Sequence, residues 1–125
     1  MADAPADALG LPRARRLKLG RDFARAKTQG KRTTQGTLIA NWLFLPPGSV
    51  SRLGVITSRR VGNAVARSRA RRLMREAFRL HQLELRSPLD LVLVARPSIV
   101  GKAFAQVEAD LLTALGRGKL LKEPA

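Results

Sequence analysis

The segment between residues 59 and 79 is the part of this chain whose residue types most clearly specify a chemistry. It contains eight arginines and a single acid, Glu76. The arginines are Arg59, Arg60, Arg67, Arg69, Arg71, Arg72, Arg75 and Arg79. The planar guanidinium group matches phosphate oxygens and base edges in a way that lysine does not. So many like charges would repel one another without an anion nearby, so the segment predicts a surface that binds a polyanion.

The same segment has the spacing of an amphipathic helix over residues 63–83. At about 100° per residue, most of the arginines share one side and an apolar stripe occupies the other. We expect the core to receive Ala66, Ala70, Leu73, Met74, Ala77 and Leu80. Phe78 does not fit this division, because it falls among the arginines. Asn63 is a favoured residue type for capping the start of such a helix.

The composition of the whole chain is that of a folded protein with a polyanionic partner. Its 125 residues suit one domain with a modest core. It has 24 Lys and Arg against 9 Asp and Glu, and its 45% hydrophobic content argues against a disordered polycation. The chain shows neither a secretory signal pattern nor an apolar run approaching the roughly 20 residues that span a bilayer. We therefore expect a cytoplasmic protein with no membrane partner.

Side chains that could cleave a phosphodiester bond are in short supply. A two-metal nuclease needs several carboxylates around ions about 4 Å apart. Glu108 and Asp110 are two residues apart on a predicted helix and so point away from each other. There is no cysteine, and the single histidine, His81, has no evident acidic or histidine partner at metal-ligand spacing, so we expect it to be structural or solvated. The polypeptide alone does not resemble a nuclease, and no metal site can be read from it.

The remaining elements must position the arginine helix. We expect a disordered arm over residues 1–12, one domain for a polyanion such as nucleic acid over 13–118, and a flexible basic tail over 119–125. We expect a helix at 20–28, strands at 37–45 and 52–58 that form a hairpin, a buried central strand at 89–95, and a helix at 103–115. This order indicates an α+β fold, with helices on one sheet face and the other face open to a ligand.

The run from Ser58 to Arg79 resembles the arginine-helix motif of the bacterial ribonuclease P protein component. The resemblance extends to Arg21-Asp22-Phe23, Arg52-Leu53-Gly54-Val55 and residues 89–97, and it covers roughly residues 13–116. It implies an α+β domain with a four-stranded sheet and three helices in the order αβββαβα, related to a ribosomal-protein domain. It also implies a left-handed crossover around the arginine helix, against the general rule. The first strand, at residues 31–34, is expected from the resemblance alone.

The resemblance implies a protein subunit of ribonuclease P, the endoribonuclease that removes the 5′ leader of precursor tRNA. In that family the RNA subunit cuts the bond, so no catalytic residue is expected in the protein and Mg²⁺ is expected at the RNA active centre. The implied partners are the catalytic RNA and precursor tRNA, not DNA. The residues implied to bind the catalytic RNA are Arg59, Arg60, Asn63, Arg67, Ser68, Arg69, Arg71, Arg72 and Arg75. Those implied to bind the leader are Phe23, Lys27 and Asn41.

Three of these positions depart from the usual pattern of the family. The central triplet of the motif is usually Arg-Asn-Arg, and here Ser68 takes the place of the asparagine between Arg67 and Arg69. A serine hydroxyl has a shorter reach than an asparagine amide. Lys27 and Asn41 stand where leader-contacting aromatics are common, which implies a shift from stacking toward polar contact. For Phe23, composition alone favours a core position, whereas the resemblance favours RNA contact. We expect Trp42 to lie in the core.

Two other functions are compatible with a basic helix. A structural RNA-binding protein of the ribosomal type would carry the same charge. The two are distinguished by activity, because a ribonuclease P subunit stimulates leader removal by the catalytic RNA at low magnesium. A DNA-binding regulator is disfavoured, because its recognition helix would carry mixed base-reading residues such as Asn and Gln instead of a stripe of arginines.

Overall fold

The computed structural model describes residues 15–17 and 20–122, and within them it has the predicted α+β order. The helices are α1 (Gly20–Gln29), α2 (Ala64–His81) and α3 (Phe104–Arg117). The strands are β1 (Lys31–Gln35), β2 (Leu38–Phe44), β3 (Arg52–Ile56) and β4 (Leu89–Ala95). Short 3-10 helices lie at Arg59–Val61, Gln82–Glu84 and Pro97–Ile99. No helix in this described part is long and apolar enough to cross a membrane.

The sheet has the strand order β1-β2-β4-β3. β4 is antiparallel to β2 and parallel to β3, so Val92 lies opposite Asn41 on one side and Gly54 on the other. The predicted central position of this aliphatic strand is confirmed. The predicted hairpin between β2 and β3 is wrong, because β4 is apolar on both faces and is best buried between them. A parallel β3–β4 pair needs a crossover connection, and α2 provides it.

One face of the sheet packs against α2 and α3. The α3 stripe is confirmed, with Val107 and Leu111 fully buried and Leu115 1% exposed. Trp42 is 5% exposed, which confirms its predicted place in the core. Its ring lies so close to Gly118 that a Cβ atom there would be 2.9 Å from two ring carbons.

The buried side of α2 is rotated relative to the side that the sequence predicts. Phe78 is 1% exposed and lies in the core, whereas Leu80, predicted to be buried, is 37% exposed. The buried residues of the helix are Ala70, Met74, Ala77 and Phe78. The stripe is thus centred near Met74, roughly 50° from the predicted centre. The rotation brings the bulky Phe78 ring into the core and leaves the arginines outside.

α1 packs on the other face of the sheet and covers part of it, so the expectation of an open face holds only in part. Leu17, Ala26 and Val92 form a small second core, against which Phe23 packs. A buried ion-pair network fastens the helix to the sheet at its edge. The Arg52 guanidinium donates to both oxygens of Asp90 at 2.8 and 2.7 Å and lies 3.6 Å from Asp22.

The chain after α3 is held in place, so the predicted flexible tail is wrong for residues 119–122. Two residues after the end of α3, Lys119 adopts the left-handed region, at φ 59°. The Leu120 N–H donates to the Leu115 carbonyl at 2.9 Å, and Leu120 is fully buried. This is the Schellman pattern, in which an apolar contact accompanies the cap. The predicted arm over 1–12 and residues 123–125 lie outside the described residues.

Candidate nucleic-acid interface

The start of α2 is fixed by side-chain caps. The Asn63 side-chain oxygen accepts from the Ala66 N–H at 2.9 Å, which confirms the predicted N-cap. Ser58 caps the preceding 3-10 helix by accepting from the Arg60 N–H at 3.2 Å. Between this 3-10 helix and α2, Gly62 has φ 139°, a conformation that other residues rarely adopt. The caps therefore set the direction in which the arginines of α2 point.

A shallow depression of about 420 Å³ lies along the exposed side of α2. We call its lining the arginine face; it consists of Arg16, Ser68, Arg71, Arg72, Arg75, Glu76 and Arg79. Arg16 comes from a segment that pairs in parallel with β3 through Leu53. Arg16 was not among the predicted residues, because the basic residues before α1 give no sign of their place beside the sheet. The arginine face thus combines side chains that are distant in the sequence.

Arg71 is held at the centre of the arginine face by neutral partners. Its guanidinium donates to the Thr57 hydroxyl at 2.7 Å and to the Ser68 hydroxyl at 3.2 Å. Hydroxyl groups fix the side chain without neutralising its charge. Ser68 therefore positions Arg71 here, and the positive charge of Arg71 remains available to an anion.

The arginines of this face crowd one another. Burial, together with repulsion from Arg16 and Arg71, lowers the pKa of Arg75. At one end, Arg79 donates to both oxygens of Glu76 at 2.9 and 2.7 Å, and this hydrogen bonding lowers the pKa of Glu76. An ion pair therefore compensates Arg79, whereas a bound phosphate would relieve the repulsion around Arg75.

The other predicted arginines extend the surface around the start of α2. Arg59, Arg60, Arg69 and Arg72 are exposed, and Arg67 is half-buried. Arg69 donates to the Lys102 carbonyl at 3.4 Å, a long contact that leaves the guanidinium at the surface. Ser68 and Arg72 line the arginine face and also a neighbouring depression that Arg69 lines, so Arg69 lies beside this face.

The residues predicted to bind the leader do not all reach the surface. Phe23 is half-buried above Gly54, and Lys27, one turn later on α1, is exposed. Asn41 is 2% exposed, and its side-chain nitrogen donates to the Val92 carbonyl at 3.4 Å. The expectation that Asn41 contacts RNA is therefore corrected, because this residue lies on the sheet face that α1 covers. Phe23 and Lys27 remain on one side of α1.

The carboxylates inside the fold are engaged in structural contacts. Asp110 accepts from the backbone and hydroxyl of Thr37 at 2.9 and 2.7 Å, which joins α3 to the β1–β2 turn. His81 lies 2.5 Å from Glu84 and 2.8 Å from Glu108, which agrees with the structural role expected for it, although these acidic partners were not anticipated. Burial lowers the pKa of His81, but the hydrogen bonds to these two carboxylates outweigh it and leave the pKa raised. Among the described residues, no cluster of three or more His, Asp or Glu has a metal-binding arrangement.

Comparison with known proteins identifies the family. The family model described as Ribonuclease P matches residues 11–119. The chain belongs to the ribonuclease P protein family. It is 41% identical over 100 residues to the ribonuclease P protein component of Desulfatibacillum aliphaticivorans, covering 79% of each chain. It is 38% identical over 117 residues to that of Chloroflexus aggregans, covering 90% of this chain and 83% of the relative. The chain is thus the RNA-binding protein subunit of ribonuclease P, a ribonucleoprotein that processes tRNA.

Solved ribonuclease P proteins share its fold. The Staphylococcus aureus protein superposes with a TM-score of 0.79 at 25% identity, covering 88% of this chain and all of that one (100%). The Thermotoga maritima protein gives a TM-score of 0.71 at 29% identity, covering 82% and 96%. These matches favour the ribonuclease P subunit over the ribosomal-type alternative.

Proposed function

We propose that the arginine face of α2 binds the ribonuclease P catalytic RNA, chiefly through phosphate. The observation that supports this most directly is the crowding of Arg16, Arg71 and Arg75 around one depression. A polyanion that crosses this surface gains several charge-assisted hydrogen bonds and releases counterions. Arg59, Arg60, Arg67, Arg69 and Arg72 extend the contact around the start of the helix.

The same proposal assigns the α1 side of the sheet to the 5′ leader of precursor tRNA. Phe23 offers part of an aromatic ring, and Lys27 offers an exposed cation one turn away. A leader base that stacks on such a ring gains about 1–3 kcal/mol, whereas mature tRNA has no leader to bind there. Asn41 would act indirectly, through its hydrogen bond to Val92 beneath the helix.

In this proposal the RNA subunit performs the cleavage and holds the Mg²⁺. The acids inside the fold do not suit a two-metal centre, because they already have structural partners. Asp22 and Asp90 are paired with Arg52, and Asp110 with Thr37. The protein contributes binding and positioning: it fixes the catalytic RNA on one side and the leader on another.

Reconstitution with a bacterial ribonuclease P RNA tests this function. The protein should stimulate removal of the 5′ leader at low magnesium, and the double variant Arg71→Ala/Arg75→Ala should lose most of that stimulation. Lys31→Gln is the control for a lost charge, because Lys31 is exposed on β1, the edge strand opposite β3, and does not line the arginine face. Equal stimulation by the double variant and the parent, with both folded by thermal melting, would contradict the proposal.

A further inference from the structure

A second basic surface lies at the end of the fold opposite the start of α2. Two shallow depressions meet at Arg86: one is also lined by Lys119 and Lys122, and the other by Phe44 and Pro88. We call Phe44, Arg86, Lys119 and Lys122 the tail patch. No acidic residue is among the described residues that line either depression. The patch therefore combines three cations with an aromatic ring.

The tail patch is built on fixed backbone. The Arg86 N–H donates to the Leu120 carbonyl at 2.9 Å, and the Lys122 N–H donates to the Glu84 carbonyl at 2.7 Å. The Arg86 guanidinium also donates to the carbonyl of Lys119. These bonds hold the chain after α3 against the segment before β4, so the backbone positions that carry the three cations are fixed.

Lys119 occupies a position that favours a different residue. Its φ of 59° lies in the left-handed region, where glycine is the usual residue at a helix end of this type. A side chain at such a position carries a conformational cost, and costs of this kind are often retained where a residue has a function. The lysine places a cation beside Arg86 that glycine would not supply.

Phe44 gives the patch a stacking surface. It is 43% exposed at the end of β2, and the Arg86 guanidinium lies 5.1 Å from the centre of its ring. An exposed aromatic ring beside several cations is the combination that binds unpaired nucleotides, since bases stack on the ring and phosphates contact the cations. Duplex RNA would leave the ring unused.

We infer that the tail patch binds an unpaired segment of the catalytic RNA, as a second contact beyond the arginine face. The inference rests on the proposed function. Phe44 lies on the strand face that it shares with Trp42, toward α2 and α3, whereas the leader is assigned to the α1 side. The chain also runs from the end of α2 through Gln82–Glu84 directly to Arg86. An RNA that covers α2 can therefore continue onto the patch.

Lys119→Gly tests this inference, because it removes the cation and relieves the backbone at the same time. With the full-length protein and a ribonuclease P RNA, we expect affinity to fall about fivefold at 0.1 M salt. The slope of log K against log salt should flatten by about 0.7, as for one lost single-strand phosphate contact. Phe44→Leu should weaken binding at least about fivefold with an unchanged slope. Lys119→Arg keeps the cation and should bind like the parent.

The controls separate this inference from the proposed function. An unchanged affinity of folded Lys119→Gly and Phe44→Leu, with weakened binding by Arg71→Ala/Arg75→Ala, would overturn the tail patch alone. No effect of that double variant would overturn the proposed function itself. A loss confined to precursor tRNA binding by the holoenzyme would assign the patch to the substrate and also overturn the inference. Lys31→Gln again controls for the loss of one charge, because Lys31 lines neither the arginine face nor the depressions of the tail patch.

Discussion

Gly54 and Phe23 provide a test of how the leader surface is built. A Cβ atom at Gly54 would lie 2.4 and 2.6 Å from two carbons of the Phe23 ring and 3.2 Å from Leu17. Ordinary carbon contacts are about 3.5–4.0 Å, so in Gly54→Ala the ring must move by roughly 1 Å or more. Overpacking of this kind costs about 1–3 kcal/mol in the free energy of unfolding.

A double-mutant cycle measured by urea unfolding gives the sharper result. Phe23→Ala alone should cost about 2 kcal/mol, less than the about 3–5 kcal/mol of a fully buried Phe, because the ring is half-buried. Once the ring is absent, the alanine at position 54 no longer clashes with it. The double variant should therefore be more stable than the sum of the single effects by about 1 kcal/mol or more.

Binding measurements connect this packing to function. In the holoenzyme, Gly54→Ala should weaken binding of precursor tRNA and leave mature tRNA unchanged, because only the leader meets the displaced ring. Gly116→Ala is the matched control: apart from its own helix backbone and chain neighbours, none of the described residues comes within 4 Å of the added Cβ, so it should be neutral or slightly stabilising. Single effects that add within about 0.5 kcal/mol would refute the contact between Phe23 and Gly54.

Three further predictions concern stability. Phe78→Ala should lower the free energy of unfolding, measured by urea denaturation, by about 3–5 kcal/mol. A loss below about 1 kcal/mol would contradict the burial of Phe78 and would place it on the arginine side of α2. Because the pKa of His81 is raised in the folded state, its stabilisation is complete below the unfolded pKa of about 6.5 and is lost as pH rises through the folded pKa. The stability difference between the parent and His81→Gln should shrink over that range, and a difference that grows would contradict the bridge to the two carboxylates. Lys119→Gly should raise stability by up to about 1 kcal/mol, and a lower melting temperature would argue against strain at this residue.

The features that the sequence predicted well are those with long, regular patterns. The N-cap at Asn63 and the aliphatic run Leu89–Ala95 are local signals, and both lie where they were expected. Residues 58–79 also carried enough specific spacing to indicate the family. The central position of β4 followed because both of its faces are apolar.

The features that the sequence did not predict depend on contacts between distant residues. The prediction of a β2–β3 hairpin was wrong because β4, which begins more than thirty residues after β3, lies between the two strands. The burial of Asn41 depends on where α1 packs. The ordered chain after α3 depends on Leu120, whose burial does not follow from the glycines that precede it. Phe78 was predicted on the arginine side because an ideal helical period does not show how far tertiary packing rotates the buried side of a helix.

The salt dependence of catalytic-RNA binding tests the central claim most directly. For the parent and for Arg71→Ala/Arg75→Ala, affinity would be measured from low to moderate salt with the full-length protein. If both guanidinium groups contact phosphate, the slope of log K against log salt should flatten by about 1.4–1.8 in the double variant. Glu76→Gln should instead strengthen binding of the catalytic RNA, because it removes the negative charge of the acid that lines the arginine face. A double variant that is folded and retains the parental slope would contradict the claim that the arginine face binds RNA.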